Sequence, residues 1–278
     1  MLEEEQAFSL LKRRIFLDRG LDCKQYKENY LKRRFAVRMR ATGARDYLEY
    51  LRILRNDPNE YTRLLDELTI NVTQFFRDED VYLKLRDEVI PEVLREKEKI
   101  SSRSIRIWSA GCSSGEEAYS AAILVDYNLK EEMQNWNVRI VASDIDEISL
   151  KLAREGTYEA VGILKGMDPK RYFEVVQTDE GRRYRVKEFI RQRVKVERIN
   201  LIDKHEKRHF DIVLCRNVLI YFSREVQSRL IHSLALGMRK GGFLVLGKSE
   251  TLGRDVEVLF KPVFPRERIY RLVSEPGS

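Results

Sequence analysis

Two periodicities of apolar residues divide the chain, and the first of them is helical. From Glu3 to about Asn71 apolar side chains recur at three- and four-residue spacings, and no alternating strand pattern interrupts them. Glycine, proline or Asx residues at 19–22, 42–44 and 56–58 mark turns between successive helices. The amino-terminal part of the protein is therefore predicted to be all-helical.

Beyond residue 104 short strand-like runs alternate with helical segments. A predicted helix from Glu79 to Lys99 precedes this region, and amphipathic segments such as Glu116–Leu129 and Arg224–Met238 interrupt it. The runs rich in β-branched and other apolar residues are Ile105–Ser109, Val138–Ser143, Val194–Ile199, Phe210–Leu214 and Phe243–Leu246. This order predicts an α/β fold with a parallel sheet and helices on both of its faces.

Two smaller features complete the predicted α/β region. The runs Val256–Phe264 and Arg268–Leu272 predict an antiparallel hairpin at the end of the sheet. A block at 172–196, with valine- and tyrosine-containing runs around a central glycine, predicts a small β insert. We therefore expect a helical domain at 1–75 and an α/β domain at 76–278 that carries the insert.

The composition is that of a globular protein without a membrane span or a metal site. Of 278 residues 43% are hydrophobic, but no apolar run approaches the ~18 residues of a membrane helix, and the acidic first residues do not resemble a secretory signal. The three cysteines are widely separated, without a Cys-x-x-Cys motif or a histidine cluster, which predicts neither disulfides nor bound metal. We expect a cytoplasmic protein with no direct membrane insertion.

An excess of positive charge is concentrated near the amino terminus. The net charge is +7, and residues 22–45 carry eight lysines and arginines against two acidic residues. Such a segment is usually a solvated helix face, but it also suits an acidic partner. A helix over Lys27 to Arg40 would bring Lys27, Arg34 and Arg38 near one another on one face.

The strand at Ile105–Ser109 runs into a glycine-containing turn and then a helix. This arrangement, with Gly111 and Gly115 in the turn, lets the main chain approach a nucleotide-like ligand closely. The turn lacks the Gly-x-Gly-x-x-Gly pattern, and Glu116 and Glu117 at the helix start would repel a diphosphate but suit the cationic amine of a methionine moiety. The motif therefore argues against a dinucleotide.

Two further strands end in polar residues. Val138–Ser143 is followed by Asp144, where Rossmann-like folds place a carboxylate that binds ribose hydroxyls. The alternative is that Asp144 caps the following helix, a role that Asp146 could also fill. Phe210–Leu214 leads into the polar and aromatic segment 215–222, and ligands of open α/β sheets bind at such carboxyl ends.

Several segments, taken in order, resemble a known family. They are Asn71 to Asp78 (NVTQFFRD), Gly115-Glu116-Glu117, Ala142 to Asp146 (ASDID), Asn200-Leu201 and Cys215 to Phe222 (CRNVLIYF). With them the chain resembles the chemotaxis receptor methyltransferase (CheR) family over nearly its whole length. The resemblance implies a Rossmann-like S-adenosylmethionine-dependent methyltransferase sheet, a helical receptor-recognition domain before it, and methyl transfer to glutamate carboxylates of chemotaxis receptors.

The resemblance also implies a set of site residues. Those implied to contact S-adenosylmethionine, or its product S-adenosylhomocysteine, are Asn71, Thr73, Arg77, Glu116, Asp144, Asn200, Leu201, Arg216 and Asn217, with Gly111 in the turn beside them. Arg77 and Tyr221 are implied to lie close to the reacting methyl group, and Glu117 is the adjacent alternative to Glu116. On the residues alone, Asn71 and Thr73 would be turn residues and Arg77 a surface ion-pair partner.

Methyl transfer from a sulfonium to a carboxylate needs no general base, because a glutamate is already ionised near pH 7. The motifs contain no histidine or paired carboxylates, in keeping with this chemistry. An enzyme of this kind works by aligning the reacting atoms and excluding water. We assign Tyr221 as the hydroxyl that orients the incoming carboxylate and Arg77 as a residue that shapes the site.

Two alternative functions remain open on the sequence. A nucleic-acid methyltransferase would suit the positive charge, but methylation of exocyclic base nitrogens commonly uses an Asn/Asp-Pro-Pro-aromatic motif where this chain has Arg216-Asn217-Val218-Leu219. The second alternative is a non-catalytic receptor-binding module that retains the fold. We expect no nucleic acid among the partners.

The resemblance implies that the partners are chemotaxis receptors, whose cytoplasmic methylation regions are long glutamate-rich helices. The predicted face of Lys27, Arg34 and Arg38 would then bind the receptor. Some relatives also bind a tethering peptide through a glycine-rich loop of the β insert. Here the loop 177–183 has a single glycine, so we expect no tethering.

Overall fold

The chain folds into two compact units. The computed structural model describes residues 2–19, 21–68, 73–179, 181–202 and 208–274. The helical unit consists of Met1–Asn71 and Tyr221–Val226, and the sheet unit consists of Val72–Ile220 and Gln227–Ser278. The helical unit thus includes a short segment from far along the chain. The predicted boundary after residue 75 stays a prediction.

Four helices build the helical unit, namely α1 (Leu2–Arg19), α2 (Glu28–Thr42), α3 (Tyr47–Asn56) and α4 (Pro58–Leu68). Their ends follow the expected turn residues: Gly43 closes α2 with φ 75°, and Asp46 accepts the Glu49 N–H at the start of α3. Apolar side chains at helical spacing, such as Phe35 and Leu64, pack into one core. The predicted all-helical region is confirmed.

The helix predicted from Glu79 to Lys99 contains one wider turn. It consists of α5 (Glu79–Lys84), a π-helical turn (Leu85–Val89) and α6 (Ile90–Lys99). Pro91, in the first turn of α6, has no N–H to donate to the preceding turn. The N–H of Ile90 donates instead to the carbonyl of Leu85, which gives this turn its extra residue.

The strands of the sheet unit begin with β1 (Ser104–Ala110), β2 (Asn137–Asp144), β3 (Thr157–Tyr158), β4 (Phe173–Thr178) and β5 (Gly181–Val186). They continue with β6 (Val194–Arg198), β7 (Phe210–Cys215), β8 (Met238–Leu246), β9 (Phe260–Phe264) and β10 (Ile269–Leu272). Seven of them form one sheet in the order β6-β2-β1-β7-β8-β10-β9. The first five in this order run parallel, and β10 pairs antiparallel with both neighbours.

The predicted α/β sheet with a terminal antiparallel hairpin is therefore confirmed. The helices that alternate with its strands are α7 (Glu116–Leu129), α8 (Glu147–Glu155), α9 (Pro169–Tyr172), α10 (Glu188–Arg191), α11 (Arg224–Gly237) and α12 (Arg254–Glu257). The two longest, α7 and α11, match the amphipathic segments read from the sequence within one residue. Fully buried apolar residues such as Ile107, Ile140 and Val245 fill the core around the sheet.

Three details of the predicted strands are wrong. The strand predicted at Phe243–Leu246 begins five residues earlier, at Met238. The first hairpin strand begins at Phe260 and not at Val256, because Arg254–Glu257 forms the short helix α12. The β insert is a separate sheet in the order β3-β5-β4, so its predicted extent to residue 196 is too long. The strand of the large sheet predicted at Val194–Ile199 is confirmed as β6, where Val194 pairs with Ile140. A short apolar run shows the strand period but not which sheet the strand joins.

Candidate functional site

The parallel strands bring most of the predicted cofactor residues to one edge of the sheet. Because β1, β2, β6, β7 and β8 run in the same direction, the loops that follow them lie at a common edge. The predicted residues at these strand ends and loops are Gly111, Asp144, Asn200, Leu201, Arg216 and Asn217. This edge of the sheet is the candidate functional site.

The turn after β1 requires both of its glycines. Gly111 has φ 82°, and its N–H donates to the Ser143 carbonyl at 2.8 Å. A Cβ on Gly111 would lie 2.5 Å from Cγ2 of Val218, and one on Gly115, where φ is 97°, would lie 2.9 Å from Cβ of Ala153. The turn is therefore tied to the end of β2, and side chains at these two positions would clash with Val218 and Ala153.

Asp144 organises the main chain on both sides of the β2 end. Its Oδ2 accepts the Ser113 N–H at 2.9 Å, and its Oδ1 accepts those of Ile145 at 2.7 Å and Asp146 at 3.1 Å. Burial raises the pKa of Asp144, while these N–H groups act in the opposite sense. Asp146 is the residue that caps α8, because its carboxylate accepts the N–H groups of Ile148 and Ser149. The capping alternative for Asp144 is therefore wrong.

The two glutamates at the start of α7 have different surroundings. Glu117 accepts the Ser109 hydroxyl at 2.8 Å and lies 3.6 Å from Nη1 of Arg216, so its carboxylate faces partners inside the sheet unit. Glu116 lies in the first helical turn and accepts the Ser114 hydroxyl at 2.8 Å. Burial raises the pKa of both carboxyls. These contacts favour Glu116 over Glu117 as the cofactor residue.

Arg216 is bound to the loop that carries Arg77. Its Nη2 donates to the Arg77 carbonyl at 2.8 Å and to the carboxylate of Asp78, and its side chain is 2% exposed. Phe76 and Asp78 both have the left-handed conformation, with φ of 53° and 61°. Arg216 therefore stabilises a loop with two unfavourable main-chain conformations. Direct contact of its side chain with the cofactor stays a prediction.

The remaining predicted residues fall in different places. The N–H of Ile199 donates to the Asp144 carbonyl at 3.0 Å, which brings Asn200 and Leu201 beside the β2 end. Thr73 is half-buried in the segment before α5. Asn71 lies outside the described residues. Tyr221 belongs to the helical unit, where its ring centroid lies 5.1 Å from that of Tyr30.

Two residues of this edge were missed in the sequence. The hydroxyl of Tyr158, in the β insert, donates to the Ser114 carbonyl at 2.8 Å and so supports the glycine turn. Glu250 follows β8 and accepts main-chain N–H groups of Gly247 and Asn217. Glu250 has the same signal as Asp144, a carboxylate just after a buried strand, whereas nothing in the local sequence marks Tyr158.

The groups gathered at this edge fit a ligand with a cationic part and ribose hydroxyls. Glu116 lies at the amino end of α7, where a diphosphate would otherwise bind, and Asp144 adds a second carboxylate at the end of β2. Gly111 and Gly115 allow close approach of the main chain. This set suits S-adenosylmethionine, and it is unsuited to a dinucleotide.

The basic stretch of α2 is only partly available to a partner. Nη1 of Arg34 lies 2.8 Å from Glu67, and Arg38 forms two hydrogen bonds, of 2.9 and 2.7 Å, with the buried carboxylate of Glu60. Lys27 is exposed at the start of α2. Arg34 and Arg38 are therefore not solvated charges, because acidic residues of α4 pair with them. Binding of the receptor by Lys27, Arg34 and Arg38 stays a prediction.

Family models match both the helical region and the α/β region of the chain. A family model described as "CheR methyltransferase, SAM binding domain" matches residues 71–268, and one described as "CheR methyltransferase, all-alpha domain" matches residues 6–69. The chain belongs to the CheR methyltransferase family. It is thus an S-adenosylmethionine-dependent methyltransferase, and neither nucleic-acid methylation nor a non-catalytic module is favoured by these matches.

Individual relatives are 30–32% identical to this chain. A chemotaxis protein methyltransferase of Borreliella burgdorferi is 30% identical over 84% of this chain and 83% of its own length. Chemotaxis protein methyltransferase 1 of Pseudomonas aeruginosa is 32% identical over 86% and 88%, respectively. An uncharacterized 104.1 kDa protein of Rhodobacter capsulatus is 32% identical over the whole chain, which spans only 28% of that relative.

Among the residues that the structure describes, no helix has the length and apolar character needed to cross a bilayer. The same residues contain no group of three or more His, Cys, Asp or Glu side chains arranged to hold a metal ion.

Proposed function

We propose that this CheR protein transfers the methyl group of S-adenosylmethionine to glutamate side chains in the cytoplasmic helical region of chemotaxis receptors, forming methyl esters. The observation that carries the proposal is the match of both CheR domains, with the carboxylates Glu116 and Asp144 at the edge of the sheet. The relatives of Borreliella burgdorferi and Pseudomonas aeruginosa are named as chemotaxis methyltransferases, which supports receptors as the substrate class.

Each part of the site has a distinct task in this reaction. S-adenosylmethionine supplies an electrophilic methyl group on a sulfonium. Asp144 would bind the ribose hydroxyls and Glu116 the amino group, while the glycine turn admits the ligand. The acceptor glutamate is ionised at neutral pH and needs no base, so rate enhancement comes from alignment and from exclusion of water. The hydroxyl of Tyr221 would orient that carboxylate.

A methylation assay tests the proposal directly. Purified protein is incubated with methyl-labelled S-adenosylmethionine and a receptor cytoplasmic fragment, and the label is mapped by mass spectrometry. We expect base-labile label on glutamates of the fragment and none on DNA or RNA. Label on DNA or RNA would show that the protein is a nucleic-acid methyltransferase instead. Binding of S-adenosylhomocysteine and receptor without any transfer would establish the non-catalytic module.

Tyr221→Phe should lower kcat on the receptor fragment about tenfold and leave affinity for S-adenosylhomocysteine unchanged. The substitution deletes one hydroxyl and keeps the ring that packs near Tyr30. Steady-state kinetics and calorimetry on the same preparation measure the two effects. If kcat is unchanged while Tyr221→Ala lowers the melting temperature, Tyr221 is a packing residue only.

Receptor recognition is proposed for the exposed part of α2. Arg33 and Arg40, seven residues apart on one helix face, are exposed and form no ion pair with any residue that the structure describes. With Lys27 they provide the positive charge that a glutamate-rich helix would meet, whereas Arg34 and Arg38 contribute by fixing α2 to α4. Gly181 is the single glycine of the insert loop, so tethering is not part of the proposal.

Reversing Arg33 and Arg40 to Glu should raise KM for the receptor fragment about tenfold at low salt and flatten its salt dependence. Such exposed charges act through interactions that are screened within a Debye length of ~8 Å. The melting temperature and cofactor affinity should not change. The control reverses two exposed lysines of the sheet unit, Lys151 and Lys261, with the same change in net charge. Equal effects from both double variants would show that net charge alone matters.

A further inference from the structure

Glu250 lies at the cofactor edge of the sheet and has no role in the function described so far. It ends a tight turn after β8, in which its own N–H donates to the Gly247 carbonyl at 2.9 Å, and it is 3% exposed. Its Oε2 accepts the N–H groups of Gly247 at 2.6 Å and Asn217 at 3.0 Å, and its Oε1 accepts that of Ile220 at 3.3 Å. One buried carboxylate thus joins the loops that follow β7 and β8.

The loop from Asn217 to Ile220 needs such support. Asn217 has φ 60°, a left-handed conformation that is unfavourable for residues other than glycine, though less so for asparagine than for most. Val218 packs so closely on the glycine turn that a Cβ on Gly111 would lie 2.5 Å from its Cγ2. The position of this loop therefore affects both Asn217 and the turn that the cofactor approaches.

The fit around Glu250 is close and specific for a carboxylate. A Cβ on Gly247 would lie 2.7 Å from Oε2 of Glu250 and 2.8 Å from the nitrogen of Asn217, so only glycine permits this approach. Both carboxylate oxygens face N–H donors. A glutamine could accept hydrogen bonds at one oxygen only, and its amide nitrogen would face an N–H group that it cannot accept.

We propose that Glu250 is a positioning residue of this methyltransferase, whose carboxylate holds the Asn217–Ile220 loop against the glycine turn in the conformation that binds the cofactor. The proposal rests on the proposed function only through its cofactor, and it is independent of the receptor. Glu250 acts through Asn217 and Val218 and is not assigned any contact with the reacting atoms.

Glu250→Gln should weaken binding of S-adenosylhomocysteine about tenfold, and Glu250→Ala should weaken it further. Hydrogen exchange in a peptide covering 217–220 should become faster, because two of its N–H groups lose a charged acceptor. In turnover, KM for S-adenosylmethionine should rise with little change in KM for the receptor fragment. Calorimetry is performed well below the melting temperature of each variant, so that all molecules are folded.

Asp126→Asn is the matched control. Asp126 is another buried carboxylate of the sheet unit, 2.9 Å from Nε of Arg171, and it lies outside the candidate site. This variant should lose stability and keep its cofactor affinity. If Glu250→Gln binds S-adenosylhomocysteine as tightly as the parent protein, or if Asp126→Asn weakens binding equally, Glu250 has no positioning role. Failure of the parent protein to bind S-adenosylhomocysteine would instead contradict the proposed function itself.

Discussion

Arg38→Ala is expected to lower the free energy of unfolding of the helical unit by about 3 kcal/mol. The substitution removes both hydrogen bonds of the guanidinium with Glu60, whose side chain is 1% exposed. Its carboxylate would keep the hydroxyl of Tyr50, at 2.9 Å, and the more distant guanidinium of Arg63, at 3.8 Å, but would lose the cation that is hydrogen-bonded to it. Urea unfolding monitored by circular dichroism measures the loss.

Two further variants separate the buried charge from the surface charge. Arg33→Ala removes an exposed arginine of the same helix and should change stability by less than about 0.5 kcal/mol. The double variant Arg38→Met, Glu60→Leu leaves no charge buried and should recover part of the stability. Recovery is incomplete because the buried hydroxyl of Tyr50 loses its acceptor. Equal stability of Arg38→Ala and Arg33→Ala would show that the ion pair contributes nothing.

The basic residues of α2 show which structural features the sequence predicts and which it does not. The positive stretch and its helix were predicted correctly from residues 22–45, and Phe35 packs inward as the periodicity requires. The partners Glu60 and Glu67 lie on a different helix, 22 and 33 residues further along the chain from Arg38 and Arg34. Local spacing identifies which side chains share a helix face, but only packing of the helices decides which of them are neutralised.

The prediction of the sheet was more complete than that of the charge pairs on α2, because strand and helix periods alternate clearly in this part of the chain. The extents of β2, β7 and α7 differ from the prediction by at most one residue at either end. The π-helical turn before α6 could have been anticipated from Pro91. The run at 194–196 was assigned both to the large sheet and to the insert, and only its pairing with β2 shows that it belongs to the large sheet. Sheet membership depends on long-range pairing, which is not encoded in the period of a short run.

The sequence marks Asp144 and Glu116 as candidate site residues, because one ends a buried strand and the other follows a glycine turn and both lie in motifs of the resemblance. Their contacts with the cofactor stay a prediction. Glu250 also follows a buried strand, but its significance depends on the N–H group of Asn217, 33 residues earlier in the chain. Local motifs can identify residues that bind a ligand. Residues that support those motifs, such as Glu250, are identified only by their contacts in the folded protein.

Asp144→Asn should weaken binding of S-adenosylhomocysteine about 100-fold, whereas Asp146→Asn should change it less than about twofold. The two aspartates are two residues apart and receive the same substitution, but only Asp144 is proposed to bind the ribose. Asn is nearly as good a helix cap as Asp, so the stability of α8 should be retained in Asp146→Asn. Calorimetric titration of both variants makes the comparison.

A second ligand distinguishes loss of the ribose contact from disturbance of the loops. Asp144 also accepts the N–H groups of Ser113 and Ile145, so any substitution there affects the glycine turn as well. An analogue of S-adenosylhomocysteine without ribose hydroxyls should bind the parent protein about 100-fold more weakly, but it should lose little further affinity in Asp144→Asn, because the interaction is already absent. If the variant weakens the analogue and the natural product by the same factor, Asp144 supports the loops and does not bind the ribose.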